Sequence, residues 1–179
     1  MILTREEMFW LANQLSDQAV EGAITSRQID QLGALVDAAG ETKDLDLLSR
    51  CIAVIGMCGE LDEKRHGCIL HYYHANALEW LYKQRHTDEN ALSWIQPENT
   101  GQIYQLRSAI AHEGFAKLPD DFRAQIHSNL GNAFNKTGRI HDALEHWRKA
   151  LELDPMLAMA QGNMACALFY YAGNLYDLG

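Results

Sequence analysis

Apolar residues recur at helical spacing along almost the whole chain, and no segment shows clean period-two alternation. The pattern predicts eight helices, at roughly 4–22, 26–39, 44–58, 64–84, 97–113, 119–137, 140–153 and 156–172. Thr4 with Glu7, and Thr25 with Gln28, have the spacing of capping boxes. Pro97, Pro119 and Pro155 each stand where one helical pattern gives way to the next, a position that suits a residue lacking an N–H. Gly40, Gly59, Gly114, Gly138 and Gly173 fall near predicted helix ends, where a left-handed residue is useful. Most connections are short, so neighbouring helices are expected to pack antiparallel. The exception is 85–96, RHTDENALSWIQ, read as a surface loop whose Leu92, Trp94 and Ile95 tuck under a helix.

Three of these segments resemble one another. Residues 127–134 read HSNLGNAF, 71–78 read HYYHANAL and 161–168 read QGNMACAL. Between His127 and Gln161 the spacing is 34 residues, and a period of that length with two helices per unit signals a solenoid. Within that period stand Leu130, Gly131, Phe134, Gly138, Ala143, Trp147, Ala150 and Pro155. This set resembles the tetratricopeptide repeat (TPR), departing at His127, where that family favours Trp. Gly131 and Ala143 are expected on facing helices, with Phe134 and Trp147 filling the space toward the next pair.

The resemblance implies an all-α, TPR-like α-solenoid of antiparallel helix pairs forming a right-handed superhelix. The units would be an N-terminal capping helix at 1–25, a degenerate pair at 26–62, an irregular repeat with an inserted loop at 63–118, a well-matched repeat at 119–157, and the first helix of an incomplete repeat at 158–179. A repeat array needs a polar cap at its end. The last apolar face would therefore be covered by residues 173–179 docking back, by another chain, or by sequence beyond residue 179. The third is the favoured expectation.

The order of segments is also similar to the N-terminal region of bacterial proteins in which an irregular TPR array precedes a C-terminal HEPN domain, many of which are ribonucleases of toxin or defence systems. That likeness implies an alternative reading: a regulatory or sensor region whose catalytic domain lies elsewhere. HEPN nucleases use Arg and His four to six residues apart. Arg107 with His112, and Arg139 with His146, satisfy comparable spacings, but such pairs arise easily by chance among 8 His and 15 basic residues. No catalytic residue is assigned.

Length and charge narrow the classes. A chain of 179 residues suits one compact domain or a short array. No apolar run approaches the ~20 residues of a membrane helix, and MILTREEMFW lacks a signal-peptide pattern. A cytoplasmic location without a membrane partner is expected. Residues 1–63 carry 12 acidic and 4 basic side chains, against 12 and 11 in 64–179. So acidic a first third repels phosphates and argues against nucleic-acid binding. Cys51, Cys58, Cys68 and Cys166 form no C-x-x-C pair and read as reduced core thiols.

Other candidate chemistry is sparse. His71 and His74 have a spacing that could hold a metal, but a packing role is preferred, as for His127. Glu60, Asp62 and Glu63 read as a solvated turn. There is no Gly-rich phosphate loop and no G-x-S-x-G. No cofactor or metal is expected.

By the TPR resemblance, certain first-helix positions face the concave side. Carried over, the groove residues are Tyr72, Tyr73, Asn76 and Trp80 in one unit, Gln125, Asn129, Asn132, Asn135 and Lys136 in the next, and Asn163 and Tyr170 in the third. Asn side chains both donate and accept, so they can pair with a peptide backbone of any sequence. Tyr and Trp add amphipathic contact area. Repeats that clamp a terminal carboxylate present several Lys or Arg at these positions, whereas here only Lys136 does. The expected partner is a peptide or helical segment of another protein, or of a further C-terminal part of the same one. Self-association through the 156–172 helix is a third expectation.

Overall fold

The computed structural model describes residues 3–22, 24–86 and 96–177. Seven α-helices form among them: α1 (Arg5–Val20), α2 (Ser26–Glu41), α3 (Leu45–Arg85), α4 (Pro97–Ala111), α5 (Asp120–Lys136), α6 (Ile140–Leu153) and α7 (Ala158–Asp177). The expected loop at 85–96 falls largely outside the described residues. Among the described residues the fold is all-α, as the helical spacing predicts, and TPR-like, as the resemblance implies.

Both capping boxes form. The Glu7 amide donates to Thr4 Oγ1 at 3.3 Å, and the Thr4 amide donates to Glu7 Oε2 at 2.7 Å. At the start of α2 the Thr25 amide donates to Gln28 Oε1 at 2.8 Å, and the Gln28 amide donates to the Thr25 carbonyl at 3.0 Å. Pro97 occupies the first turn of α4, and Pro119 immediately precedes α5. Glycine punctuation is a different matter. Among the described glycines only Gly22 and Gly138 are left-handed, with φ of 68° and 76°. At the end of α2 the left-handed residue is Lys43, φ 56°, not Gly40. Gly40 instead lies under an aromatic ring: a Cβ there would stand 2.1 Å from Trp80 Cδ2.

Eight helices were expected, and seven form because 44–58 and 64–84 fuse into α3. A single non-helical residue, Asp62 (φ −142°, ψ 34°), separates its two arms. The arms fold back on each other. The Asp44 amide, just ahead of the first arm, donates to the Ala39 carbonyl, and Gln84 Nε2 at the end of the second donates to the carbonyls of Ala39 and Gly40. Both ends of α3 thus meet the C-terminal end of α2, while the bend lies at the other end of α2. There the buried His66 bridges Asp62 Oδ2 (2.8 Å) and Ser26 Oγ (3.1 Å). Of the residues read as a solvated acidic turn, Glu60 and Glu63 are exposed but lie in the helical arms, while Asp62 forms the bend itself and is tied to His66.

Two hydrophobic clusters result. The first joins α1, α2 and α3 around Leu15, Ile29, Leu32, Leu47, Leu48 and Val54. The second joins the second arm of α3 to α4–α7 around Leu106, Ile126, Leu130, Phe134 and Trp147. Tyr73 packs against both clusters. Cys51, Cys58 and Cys68 are buried, and burial pushes their thiols up to about 12, 11 and 11. Cys166, expected in a core, is exposed on α7.

Gly131 is as close-packed as the repeat pattern requires, but its neighbour differs from the expected Ala143. A Cβ on Gly131 would stand 2.6 Å from Trp147 Nε1 and 2.7 Å from Cδ1. The small residue makes room for the indole of α6, and that indole is completely buried.

Candidate functional site

The helix α5 carries Asn132, Asn135 and Lys136 on successive turns facing α3 and α7. Together with Glu79 of α3 and with Asn163 and Tyr170 of α7 they line a cleft of about 390 Å³. Trp147 and Ile140 of α6 and Tyr171 of α7 also border it.

The floor of this cleft is fixed by internal hydrogen bonds. Asn132 Oδ1 accepts from Trp147 Nε1 at 2.9 Å and from Asn163 Nδ2 at 2.7 Å. Three helices are thereby tied through one amide oxygen. Lys136 Nζ donates to Glu79 Oε1 at 2.9 Å, and Lys83 Nζ lies 3.1 Å from the same oxygen. Burial opposes ionisation of Glu79, but the two ammonium groups outweigh it and hold the carboxyl below its usual range. The rim is open. Asn135 and Cys166 are exposed, and Tyr170 retains 71% of its accessible surface.

Five of the eleven expected groove residues therefore converge: Asn132, Asn135, Lys136, Asn163 and Tyr170. The other six do not line this cleft. Tyr73 lies over Gly33, with its hydroxyl 3.4 Å from Asp30 Oδ1, and burial pushes its phenol up to about 12. Trp80 lies over Gly40 and donates to Asp37 Oδ1 at 3.3 Å. These two rings join α3 to α2. Tyr72 is buried edge-on against Phe122, with ring centroids 4.9 Å apart. Asn129 Nδ2 donates to Asn76 Oδ1 at 3.4 Å, a pairing between α5 and α3. Gln125 is exposed one or more turns before the cleft.

Trp147 and Ile140 are not among the expected groove residues because second-helix positions read as packing only, and Tyr171 is not because the first-helix positions carried over to α7 are Asn163 and Tyr170. Trp147 does pack, but a buried indole needs an acceptor for its N–H, and that need draws it to Asn132.

Two histidines form a separate cluster between α5 and α6. His127 and His146 stack with their Nδ1 atoms 3.0 Å apart, and Phe115 meets His127 edge-on. Nitrogens this close share one proton, so one ring donates and the other accepts, and the two rings are not both charged. Burial, His146, Lys149 and Arg123 hold His127 down at about 4. Burial and Lys149 also lower His146, against the opposing pull of Glu145 and Asp142.

The unfolded chain takes up these protons near pH 6.5 and the folded chain does not. Stability contributed by the pair is thus complete above about pH 6.5 and is lost as pH falls toward 4. Allowing for partial solvent access, the loss is on the order of 2 kcal/mol. Urea midpoints between pH 7.5 and 5 should decline for the native chain and much less for His127→Gln. Parallel profiles would rule the pair out as the cause.

His71 Nδ1 lies 2.6 Å from Gln105 Oε1, which joins α3 to α4. Among the described residues no group of three or more His, Cys, Asp and Glu side chains is placed to hold a metal ion. No helix among them is long and apolar enough to cross a membrane. No curated protein matches the chain in sequence. Residues 124–157, which comprise most of α5, all of α6 and the turn to α7, match the family model of the tetratricopeptide repeat.

Proposed function

We propose that the chain is a protein-interaction module and that the cleft between α3, α5 and α7 receives an extended, largely uncharged peptide segment of a partner protein. The matched repeat belongs to a family whose members serve as interaction scaffolds. The observation that carries the reading is the division of the cleft into a fixed floor and an open rim. Asn132, Asn163, Glu79 and Lys136 are committed to one another and need no ligand to order them. Asn135 and Tyr170 stand free at the edge, one with an amide that pairs with backbone, the other with an amphipathic ring. A pre-ordered floor lowers the entropy cost of binding.

Charge defines the ligand further. The Lys136 ammonium already faces Glu79, so the cleft has no cationic pair to clamp a terminal carboxylate. An internal segment fits better than an acidic tail.

Asn132 is the wrong place to test this, because removing it strips the acceptor from the Trp147 indole. Asn135→Ala with Tyr170→Ala leaves the floor intact. Peptides selected on the native chain from a random library, measured by fluorescence polarisation, should bind this double variant at least tenfold more weakly. Thermal unfolding should be unchanged. Equal affinity for both proteins would reject the cleft as the site.

A further inference from the structure

We propose that the chain pairs with a second copy of itself through the outer face of α7, antiparallel, about a two-fold axis passing beside residue 167. The inference is independent of the cleft, because it uses the opposite side of the helix.

One side of α7 packs inward through Ala160, Met164 and Ala167. At 100° per residue the side directly opposite carries Ala158, Gly162, Ala165, Phe169, Ala172 and Tyr176. Every one of these is exposed, with Phe169 at 77% and Tyr176 at 87%. A Cβ on Gly162 or on the adjacent Gly173 would meet nothing within 4 Å. The row repeats every three to four residues, which is the spacing of a helix–helix seam.

The order of large and small residues along this row identifies the occupant. In an antiparallel pair, residues face each other when their numbers sum to a constant. With that sum at 334, Phe169 meets Ala165 of the other copy, Tyr176 meets Ala158 and Ala172 meets Gly162. Each aromatic ring then has a small residue opposite, and no two rings collide. A two-fold axis makes every such contact twice, so a self-complementary row is what an isologous interface requires.

Charge favours the same occupant. No charged residue occurs from Ala158 to Tyr176, although the chain as a whole carries a net charge of −9. Two copies meeting at α7 bring no carboxylates together. Their acidic first thirds are carried on α1, α2 and the first arm of α3, whereas α7 packs mainly against α6 and α5. Two helices of this length in contact bury on the order of 1,000 Å², at the lower limit for a specific interface. A reversible dimer with a dissociation constant in the micromolar range is therefore expected.

Sedimentation equilibrium of the full 179-residue chain between 5 and 200 µM should show a monomer–dimer equilibrium. Phe169→Ala and Ala165→Phe, each alone, should weaken it at least tenfold, the first by removing the knob and the second by setting ring against ring. Phe169→Ala combined with Ala165→Phe exchanges the two sizes across the seam and should restore dimerisation to within about threefold of the native chain. Both positions are exposed, so circular dichroism should confirm that all variants fold. A monomer throughout the concentration range would overturn the proposal. So would a dimer indifferent to the single changes, or a double variant as weak as the worse single one, which would rule out this register.

Discussion

Trp147→Ala is expected to cost about 3–5 kcal/mol of folding stability, read as a large drop in the urea midpoint. The indole is completely buried within the cluster that unites α5, α6 and their neighbours. Its removal leaves a void that the surrounding small residues, Gly131 and Ala143 among them, cannot fill. Hydrogen bonding adds less. Asn132 Oδ1 keeps Asn163 as a donor, so the lost indole bond does not orphan it. Trp147→Phe, which retains most of the volume, should therefore cost much less than Trp147→Ala. Equal losses for the two would mean that the hydrogen bond rather than the packing holds the pair together.

Gly131→Leu attacks the same contact from the other side, with an expected cost of about 3 kcal/mol. The Cβ alone would intrude to 2.6 Å of the indole nitrogen, and the rest of the leucine has nowhere to go. Gly40 offers a useful contrast. Its Cβ would approach Trp80 even more closely, but Trp80 is half-buried and has room to turn toward solvent. Trp147 has none. The two predictions are coupled: Gly131→Leu should be far less damaging when Trp147 is already Ala, since the leucine would then occupy the void. Strictly additive losses in the double variant would show that the contact is not the source of either.

The glycines also mark where sequence reading succeeds and where it stops. Gly131 was legible because a small residue at that point of a 34-residue period means close approach of two helices. What approaches was not legible, since Ala143 and Trp147 lie on one helix a single turn apart and periodicity does not fix the angle at which helices cross. Gly40 was read as a helix end because it sits near the end of an apolar pattern. Its actual role depends on Trp80, 40 positions away in the chain, and no local pattern reports that.

The cleft divides in the same way. Asn132, Asn135, Lys136, Asn163 and Tyr170 were found because α5 and α7 follow a regular repeat. Tyr72, Tyr73, Asn76 and Trp80 occupy matching repeat positions on α3, yet Tyr73 and Trp80 turn toward α2. Fusion of two predicted helices into α3, bent at Asp62 alone, sets how that arm sits against α2. The bend rests on His66 bridging Asp62 to Ser26, a contact between segments 40 residues apart.

The sequence by itself determined what depends on neighbours a few positions away: the helical character of the chain, its capping boxes, the repeat at 124–157 and the uncharged stretch that becomes α7. Those follow from hydrogen bonding within a turn and from the period of apolar side chains. Only the tertiary structure decided which ring lies over which glycine, where α3 folds back, which asparagines are tied into the floor, and which side of α7 is left uncovered. These are set by packing and by polar pairing between distant segments, where one residue's rotation changes its partner without altering the pattern in which it is written.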